Sequence, residues 1–417
     1  MRDLRRSIVP PARSAGGLST LLVSGAALAL GACLPSEFDR PPSAKPVQIS
    51  ASAFGCAVTE QGTVRCWGSN DNGELGADVS KTTFNRVNEP VEVVGLRGAV
   101  AVSTGDDFNC ALLDTGEVKC WGFNAAGQLG QAKEVVDSNS LASSQTPLTV
   151  VGLPAAKQIA LSGSNACALT QTGTVWCWGD GSSGELGDGV DLTSVGVGAH
   201  FSTKAIQVAG LTGVLDLAAG YDRVCVVTAA HGVKCWGGGA ASTPTDVDGL
   251  TSGVARVATG GANSYAGRAL CATMTAGGVS CMASSGADDP VLGRGASTTT
   301  PATTPAPVMG LTGQVSMLSI GSGMACAVVA GGVKCWGKAQ HDLNLGAGET
   351  LYYSAVPVAV PSLETGATAV AVGSEIACAI ADGRLSCWGC KACSGDGSTD
   401  FSGGDPLYKP AHVVGLP

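Results

Sequence analysis

CAVTEQGTVRCWG, residues 56–68, is the stretch from which the fold of this chain can be read. Two short apolar segments flank a glycine turn, and a cysteine stands toward the outer end of each. The arrangement returns as Cys110 with Cys120, Cys167 with Cys177, Cys225 with Cys235, Cys271 with Cys281, Cys326 with Cys335, and Cys378 with Cys387, which makes seven copies. Pairing the first copy inward sets Cys56 against Cys66, Ala57 against Arg65, Val58 against Val64 and Thr59 against Thr63. That leaves Glu60, Gln61 and Gly62 as a three-residue hairpin loop, with glycine where a left-handed backbone is wanted. In the last copy the cysteines are one residue closer, and the same pairing leaves Asp382-Gly383, a favoured two-residue turn. Loop length and cysteine spacing change together, so each cysteine stays opposite its partner. Directly opposed strand residues bring Cα atoms about 4.5–5.5 Å apart, within the reach of a disulfide. The pattern predicts one cross-strand disulfide per hairpin. Buried thiols in a reducing compartment are the alternative, but opposed pairing in seven hairpins is hard to obtain from packing alone.

Working outward, each hairpin sits inside a unit of four strand-like pieces. In the second unit Ala99 to Ser103 alternates, Cys110 to Leu113 and Glu117 to Trp121 form the hairpin, and Leu148 to Val151 is an apolar run before Gly152-Leu153. A closing Gly-Leu recurs at Gly95, Gly152, Gly210, Gly249, Gly310 and Gly415, and Ser362-Leu363 replaces it in the sixth unit. Successive first cysteines are 54, 57, 58, 46, 55 and 52 residues apart. Four short strands per period, seven times over, predict an all-β chain: a seven-bladed β-propeller of four-stranded antiparallel blades over residues 47–417. The 61 glycines and the 14% of charged residues suit short strands joined by tight turns.

The combination of Cys110-Ala111-Leu112, then Gly116 to Gly122 with Cys120-Trp121, then Gly127-Gln128-Leu129-Gly130 resembles the repeat of the regulator of chromosome condensation family. Gly73-Glu74-Leu75-Gly76 and Gly184-Glu185-Leu186-Gly187 repeat the last element. The resemblance implies a seven-bladed propeller. It also implies protein partners, since related bacterial propellers include secreted protein inhibitors of β-lactamase, and it brings in the guanine nucleotide exchange activity of the eukaryotic founder. Several positions depart from the pattern. No repeat has the histidine that the family often places shortly before Cys-Ala-Leu. The fourth lacks a Gly-Gln-Leu-Gly element after Trp236, and the fifth has Met282 in place of tryptophan and a Thr/Pro-rich insert from Ser297 to Ala306. Trp67, Trp121, Trp178, Trp236, Trp336 and Trp388 share one repeat position, which fits packing between blades better than ligand stacking. Trp176 stands outside that set and is a candidate for exposure.

At the start of the chain Arg2, Arg5, Arg6 and Arg13 precede an uncharged apolar run from Leu18 to Leu30, the layout of a secretory signal. Leu30-Gly31-Ala32-Cys33 resembles the bacterial lipoprotein signal, in which the cysteine is lipidated and becomes the new terminus. An ordinary cleaved signal is the alternative. The expectation is a signal peptide over 1–32, a lipidated Cys33 with a Pro/Ser-rich tether over 33–46, and export to the cell envelope, at the outer membrane or cell surface. Setting Cys33 aside leaves sixteen of the 17 cysteines, an even number. Removing residues 1–32 takes away four arginines and one aspartate, leaving 20 basic and 32 acidic side chains and a net charge of −12. That balance speaks against nucleic acid as a partner.

In a four-stranded meander the hairpin turns emerge on one face, and the first-to-second and third-to-fourth connections emerge on the other. The long segments, roughly 69–89, 124–146, 180–203, 283–307, 338–356 and 390–409, therefore share a face. Phe84, Phe108, Phe123, Tyr221, Tyr265, Tyr352 and Tyr353 are the candidate binding residues on it, and Tyr408, Phe54, Phe201 and Phe401 are assigned to the same side. The rings could equally fill gaps between loops and blades. Catalytic constellations are thin: His200, His231, His341 and His412 are scattered, and Asp106-Asp107 and Asp288-Asp289 read as solvated turns. Asn70, Asp71, Asn72 and Glu74 crowd a glycine loop without matching a full calcium loop. Cys390 and Cys393 read as an eighth disulfide stapling the last blade, in preference to half a zinc site or a redox pair.

The function expected is a noncatalytic, membrane-tethered scaffold, monomeric and without cofactor or metal. It would recognise an unknown protein or envelope component through the loop face. An exchange factor, or a propeller enzyme acting on polysaccharide, are the alternatives. The first is opposed by export and acidity, and the second needs clustered acids in the central channel.

Overall fold

The computed structural model describes residues 44–79, 85–133, 141–194, 200–239, 241–260, 269–283, 290–295, 302–311, 313–321, 323–339, 343–348, 351–398 and 407–416. The signal sequence, Cys33 and most of the tether lie outside the described residues, as do Phe84 and Tyr265. From residue 44 onward the chain forms seven four-stranded antiparallel sheets, each a meander of consecutive strands. Blade 1 runs through Pro46–Ala51, Phe54–Thr59, Val64–Ser69 and Arg86–Glu92. Blades 2 to 6 occupy residues 99–149, 156–207, 216–246, 254–307 and 315–359. Blade 7 runs through Ala367–Val372, Ile376–Ala381, Arg384–Gly389 and Leu407–His412.

The hairpins have the expected register. Cys56 pairs with Cys66, Ala57 with Arg65 and Val58 with Val64, and the cysteines are opposed in the other six as well. All seven form disulfides, with Cα atoms 4.0–4.1 Å apart. Gly62 takes φ 70° in the three-residue loop, and the Thr59 N–H closes that loop on Thr63 O at 2.9 Å. In the two shorter hairpins both turn residues are left-handed: Ala330 and Gly331 at φ 50° and 80°, Asp382 and Gly383 at 51° and 73°. This is the two-residue turn whose twist matches that of its strands.

Burial explains the residue choice. The second strand of blade 1, Phe54–Thr59, is buried along its whole length, and so are Phe108–Leu113, Asn165–Thr170 and Ile376–Ala381. Each is covered by the neighbouring blade on either side, which selects small or apolar residues at every position rather than at alternate ones. The core is accordingly a series of inter-blade clusters. One joins Phe54, Cys56 and Leu75 of blade 1 to Val102, Ala111 and Trp121 of blade 2.

The shared tryptophans are fully buried, and each reaches back into the loop of the preceding blade. Trp121 Nε1 donates to Glu74 O at 2.8 Å, Trp178 to Gln128 O at 2.9 Å, Trp236 to Glu185 O at 2.8 Å, Trp336 to Val291 O at 2.7 Å and Trp388 to Asn344 O at 3.0 Å. The acceptors lie two residues before a left-handed glycine, at Gly76, Gly130, Gly187, Gly293 and Gly346. A Cβ on Gly130 would lie 2.8 Å from Val150 Cγ1, so the loop folds tightly enough to meet the indole only as glycine. Trp67, at the seam between blades 7 and 1, is the exception. It is buried against the last blade with Ile376, Ile380, Leu385 and Cys393, yet its Nε1 has no hydrogen-bond partner among the described residues. No strand is exchanged at this seam, because blade 1 begins and blade 7 ends the described chain.

These contacts predict different costs for one substitution at two equivalent positions. Trp178→Phe loses packing and a buried hydrogen bond, whereas Trp67→Phe loses packing alone. Denaturant unfolding should show Trp178→Phe to be the more destabilising by about 1 kcal/mol. Equal costs would show that the indole hydrogen bond contributes nothing to blade docking.

Candidate binding face

The inner strands of all seven blades converge on a funnel opening on the loop face, with a volume of roughly 290 Å³. Its wall is built of small residues and hydroxyls: Ser50 and Ser52 in blade 1, Ser103 and Thr104 in blade 2, and Ser162, Thr259, Ser319 and Ser374 further round. Some of these hydroxyls join neighbouring blades. Ser50 Oγ lies 2.9 Å from Thr104 Oγ1 and accepts the Thr104 N–H, Ser103 Oγ accepts the Leu161 N–H, and Ser319 Oγ accepts the Val372 N–H. Asp106 is the sole carboxylate among the described residues lining the funnel, and Tyr221 stands at its mouth. Most glycoside hydrolases use a pair of carboxyl groups flanking the scissile bond, and the described residues of this wall supply one.

Tyr221, Tyr352 and Tyr353 are exposed, the first and last by 52%. Tyr352 packs edge to face on Tyr408 of the next blade, with ring centroids 6.1 Å apart and planes at 84°. Phe123 is half-buried, and its backbone N–H donates to Asp107 O. Phe108 corrects the sequence expectation: it is completely buried, in the cluster with Cys110, Leu129 and Trp178, and presents no surface to a ligand. The reason is its place in the repeat. Like Phe54 it stands two residues before the first cysteine, inside the second strand rather than in the loop ahead of it. Aligning the two copies would have shown this. Trp176 is half-buried, with Nε1 donating to Thr174 Oγ1.

The polar residues of the first long loop are held by the loop itself. Asn70 Oδ1 accepts the Leu75 N–H, the Glu74 carboxylate accepts from the Asn72 backbone and side chain, and Asp71 accepts from Ser69 and Asn85. These acids and amides thus lock the turn through bonds within the loop. Glu185 occupies the corresponding position in blade 3, 4% exposed, and accepts the Ser183 N–H at 2.9 Å. Burial pushes it from 4.5 up to about 7, against the backbone hydrogen bonds that favour its carboxylate. His341 lies outside the described residues, and the other three histidines bond locally. His231 and His412 each place Nδ1 on a backbone carbonyl, and His200 bridges Gly181 O and Asp188 Oδ2 at 3.0 Å each.

Cys390 and Cys393 form the eighth disulfide. Its surroundings are assembled from residues far apart in the chain. Arg86, from the outer strand of blade 1, donates from Nη1 to both sulfurs, and its Nη2 meets Glu375 Oε2 at 3.3 Å. No helix among the described residues is long and apolar enough to cross a membrane. Eight disulfides in one chain point to an oxidising, extracytoplasmic setting.

The architecture is a seven-bladed β-propeller of four-stranded antiparallel blades, and part of its sequence matches a known repeat. Residues 47–74, 99–128 and 156–185, and in a second model residues 61–112, match the Regulator of chromosome condensation (RCC1) repeat. The chain thus carries RCC1 repeats. It is similar to the RCC1 domain-containing protein RUG3, mitochondrial, of Arabidopsis thaliana, 30% identical over 35% of this chain and 33% of that one. It is also similar to Protein pim1 of Schizosaccharomyces pombe, 27% identical over 45% of this chain and 38% of that protein. A match to the Probable E3 ubiquitin-protein ligase HERC6 of Homo sapiens is 32% identical and covers 41% of this chain but 16% of the ligase. Each match therefore spans well under half of the relative. Among solved structures, human WBSCR16 superposes with a TM-score of 0.67 at 21% identity, covering 84% of this chain and 93% of that one. Yeast RCC1 (Prp20), solved bound to Kap60, gives 0.63 at 20% identity over 78% of each. At these identities the structures establish the fold.

Glu185 yields a pH prediction. An acid whose folded pKa lies above its unfolded value binds its proton more tightly when folded. Its contribution to stability is therefore full below pH 4.5 and lost as the pH rises through about 7. Glu185→Gln, which copies Gln128 of blade 2, should stabilise the protein by about 1–3 kcal/mol at pH 8 and leave it unchanged near pH 4.5. Thermal unfolding at the two pH values distinguishes this from a pH-independent effect, which would mean that the carboxyl is not desolvated.

Proposed function

We propose that this protein is a noncatalytic binding scaffold of the cell envelope, tethered to a membrane through a lipidated Cys33, and that it recognises a protein partner through the loop face of its propeller. The observation that carries the reading is the contrast between the two faces. The hairpin side offers turns of two to four residues, while the loop side offers the funnel and the exposed rings of Tyr221, Tyr352 and Tyr353. Tyrosine combines apolar area with a hydroxyl at small entropic cost, which suits reversible recognition. Disulfides in every blade favour export over the nuclear setting in which an exchange factor would act. The single carboxylate among the described residues of the funnel disfavours glycoside hydrolysis.

A photo-crosslinking amino acid placed at Tyr221 or Tyr353 in envelope preparations should capture one discrete partner, and the same group at Gln61 on the hairpin face should not. Replacing Tyr221, Tyr352 and Tyr353 by alanine together should weaken binding of the captured partner at least about tenfold while leaving the melting temperature unchanged. Cys33→Ser should move the protein from the membrane to the soluble fraction. Capture through Gln61 alone would assign recognition to the other face, and unchanged fractionation of Cys33→Ser would remove the anchor.

A further inference from the structure

Seven of the eight disulfides lie between paired strands, flanked by blades on both sides. The eighth is buried like the others but differs from them in span, in position and in the groups beside it. It spans three positions in sequence, lies outside any sheet in the last long loop, and meets charged groups. Arg86 Nη1 is 3.4 Å from Cys390 Sγ and 3.1 Å from Cys393 Sγ, and Glu375 Oε2 is 3.5 Å from Cys393 Sγ. The sulfurs themselves are buried, but the Arg86 and Glu375 side chains beside them remain 31% and 29% exposed, so this charged pair lies between the disulfide and solvent. The two sulfurs and the Glu375 carboxylate are near enough to one another to hold a metal ion, but the guanidinium already fills the cationic role there.

The position matters as much as the chemistry. Blades 7 and 1 meet with no chain linking one directly to the next. Asn88 of blade 1 donates from Nδ2 to Lys391 O, Asp396 Oδ1 and Ser398, and accepts the Gly395 N–H at 2.6 Å. Cys393 stands two residues before the left-handed Gly395, the place of the tryptophan-accepting carbonyl in other blades, yet Trp67 makes no such bond. The loop that closes the ring is therefore held by Asn88, Arg86 and its own disulfide.

We propose that Cys390–Cys393 is a thiol–disulfide exchange site for a dithiol reductant, and that its reduction loosens the seam at which the propeller closes. A thiolate of the reductant bonds to Cys390 Sγ, at 3% exposure the more accessible residue of the pair. The Cys390–Cys393 bond breaks, and its electron pair leaves on Cys393 Sγ, where the Arg86 guanidinium stabilises the thiolate. A neighbouring cation lowers a thiol's pKa, and a leaving thiol of lower pKa leaves faster. The second thiol of the reductant then displaces Cys390 from the mixed disulfide. Two electrons and two protons have passed to the protein, and the dithiol departs as its own disulfide.

The test uses the full-length protein in native buffer with graded dithiothreitol, an iodoacetamide quench, peptide mapping and parallel hydrogen exchange. Cys390 and Cys393 should be alkylated at a reductant concentration at least about tenfold below that needed for any blade cysteine. Exchange over residues 46–51, 86–92 and 390–398 should accelerate at the same concentration. Arg86→Gln should raise the concentration required for alkylation. A Cys390→Ser, Cys393→Ser double variant should show the fast seam exchange without reductant. Simultaneous reduction of all eight disulfides, or earlier reduction of a blade disulfide, would overturn the exchange site. Selective alkylation with unchanged exchange at 86–92 would overturn the latch.

Discussion

The fold depends on one contact repeated around the ring: an indole N–H given to a backbone carbonyl in the loop of the preceding blade. A blade alone buries neither face of its second strand, so it needs both neighbours, and the tryptophan fixes how far apart and at what angle the two sheets sit. Three features must coincide for this to work. The tryptophan must follow the second cysteine, the acceptor loop must follow the third strand, and a left-handed glycine must turn that loop under the ring. The hairpin disulfide holds the tryptophan-bearing strand in register with its neighbour, which places the indole at the same strand position in the six blades that carry one.

Two departures that look unrelated in the sequence become one when this contact is considered. The fourth repeat lacks the acceptor loop after Trp236, and the fifth carries Met282 where the tryptophan belongs. Met282 packs at the border of blades 4 and 5 with Leu250 and Leu270, where an indole would have had no carbonyl to meet. Donor and acceptor are missing together. The flexible thioether fills the space that remains. Pro290-Val291-Leu292-Gly293 shows the opposite case, an acceptor loop without the usual glutamine or glutamate that still receives Trp336, because the backbone supplies the acceptor.

What the sequence discloses follows from how local each interaction is. Hairpin register, turn type and cysteine pairing are set within about a dozen residues, and all were legible from loop length against cysteine spacing. The seven-fold repeat made the propeller legible in turn. Phe108 was misplaced because a one-strand uncertainty in where a repeat begins moves a residue from loop to core. Arg86 and Glu375 around the eighth disulfide could not be foreseen at all: they come from opposite ends of the chain and meet only because the ring closes. The desolvation of Glu185 was hidden for a related reason, since the residue type is ordinary and the burial is supplied by the neighbouring blade.

Every disulfide among the described residues joins cysteines three, nine or ten positions apart, and none of these ties one blade to another. Each pair therefore joins two cysteines that are consecutive among the sixteen. A polypeptide emerging gradually into an oxidising space would complete each bond before the next cysteines arrive. Sixteen thiols mature with little opportunity to pair wrongly, and insertion or loss of a whole repeat leaves the pairing of all the others intact.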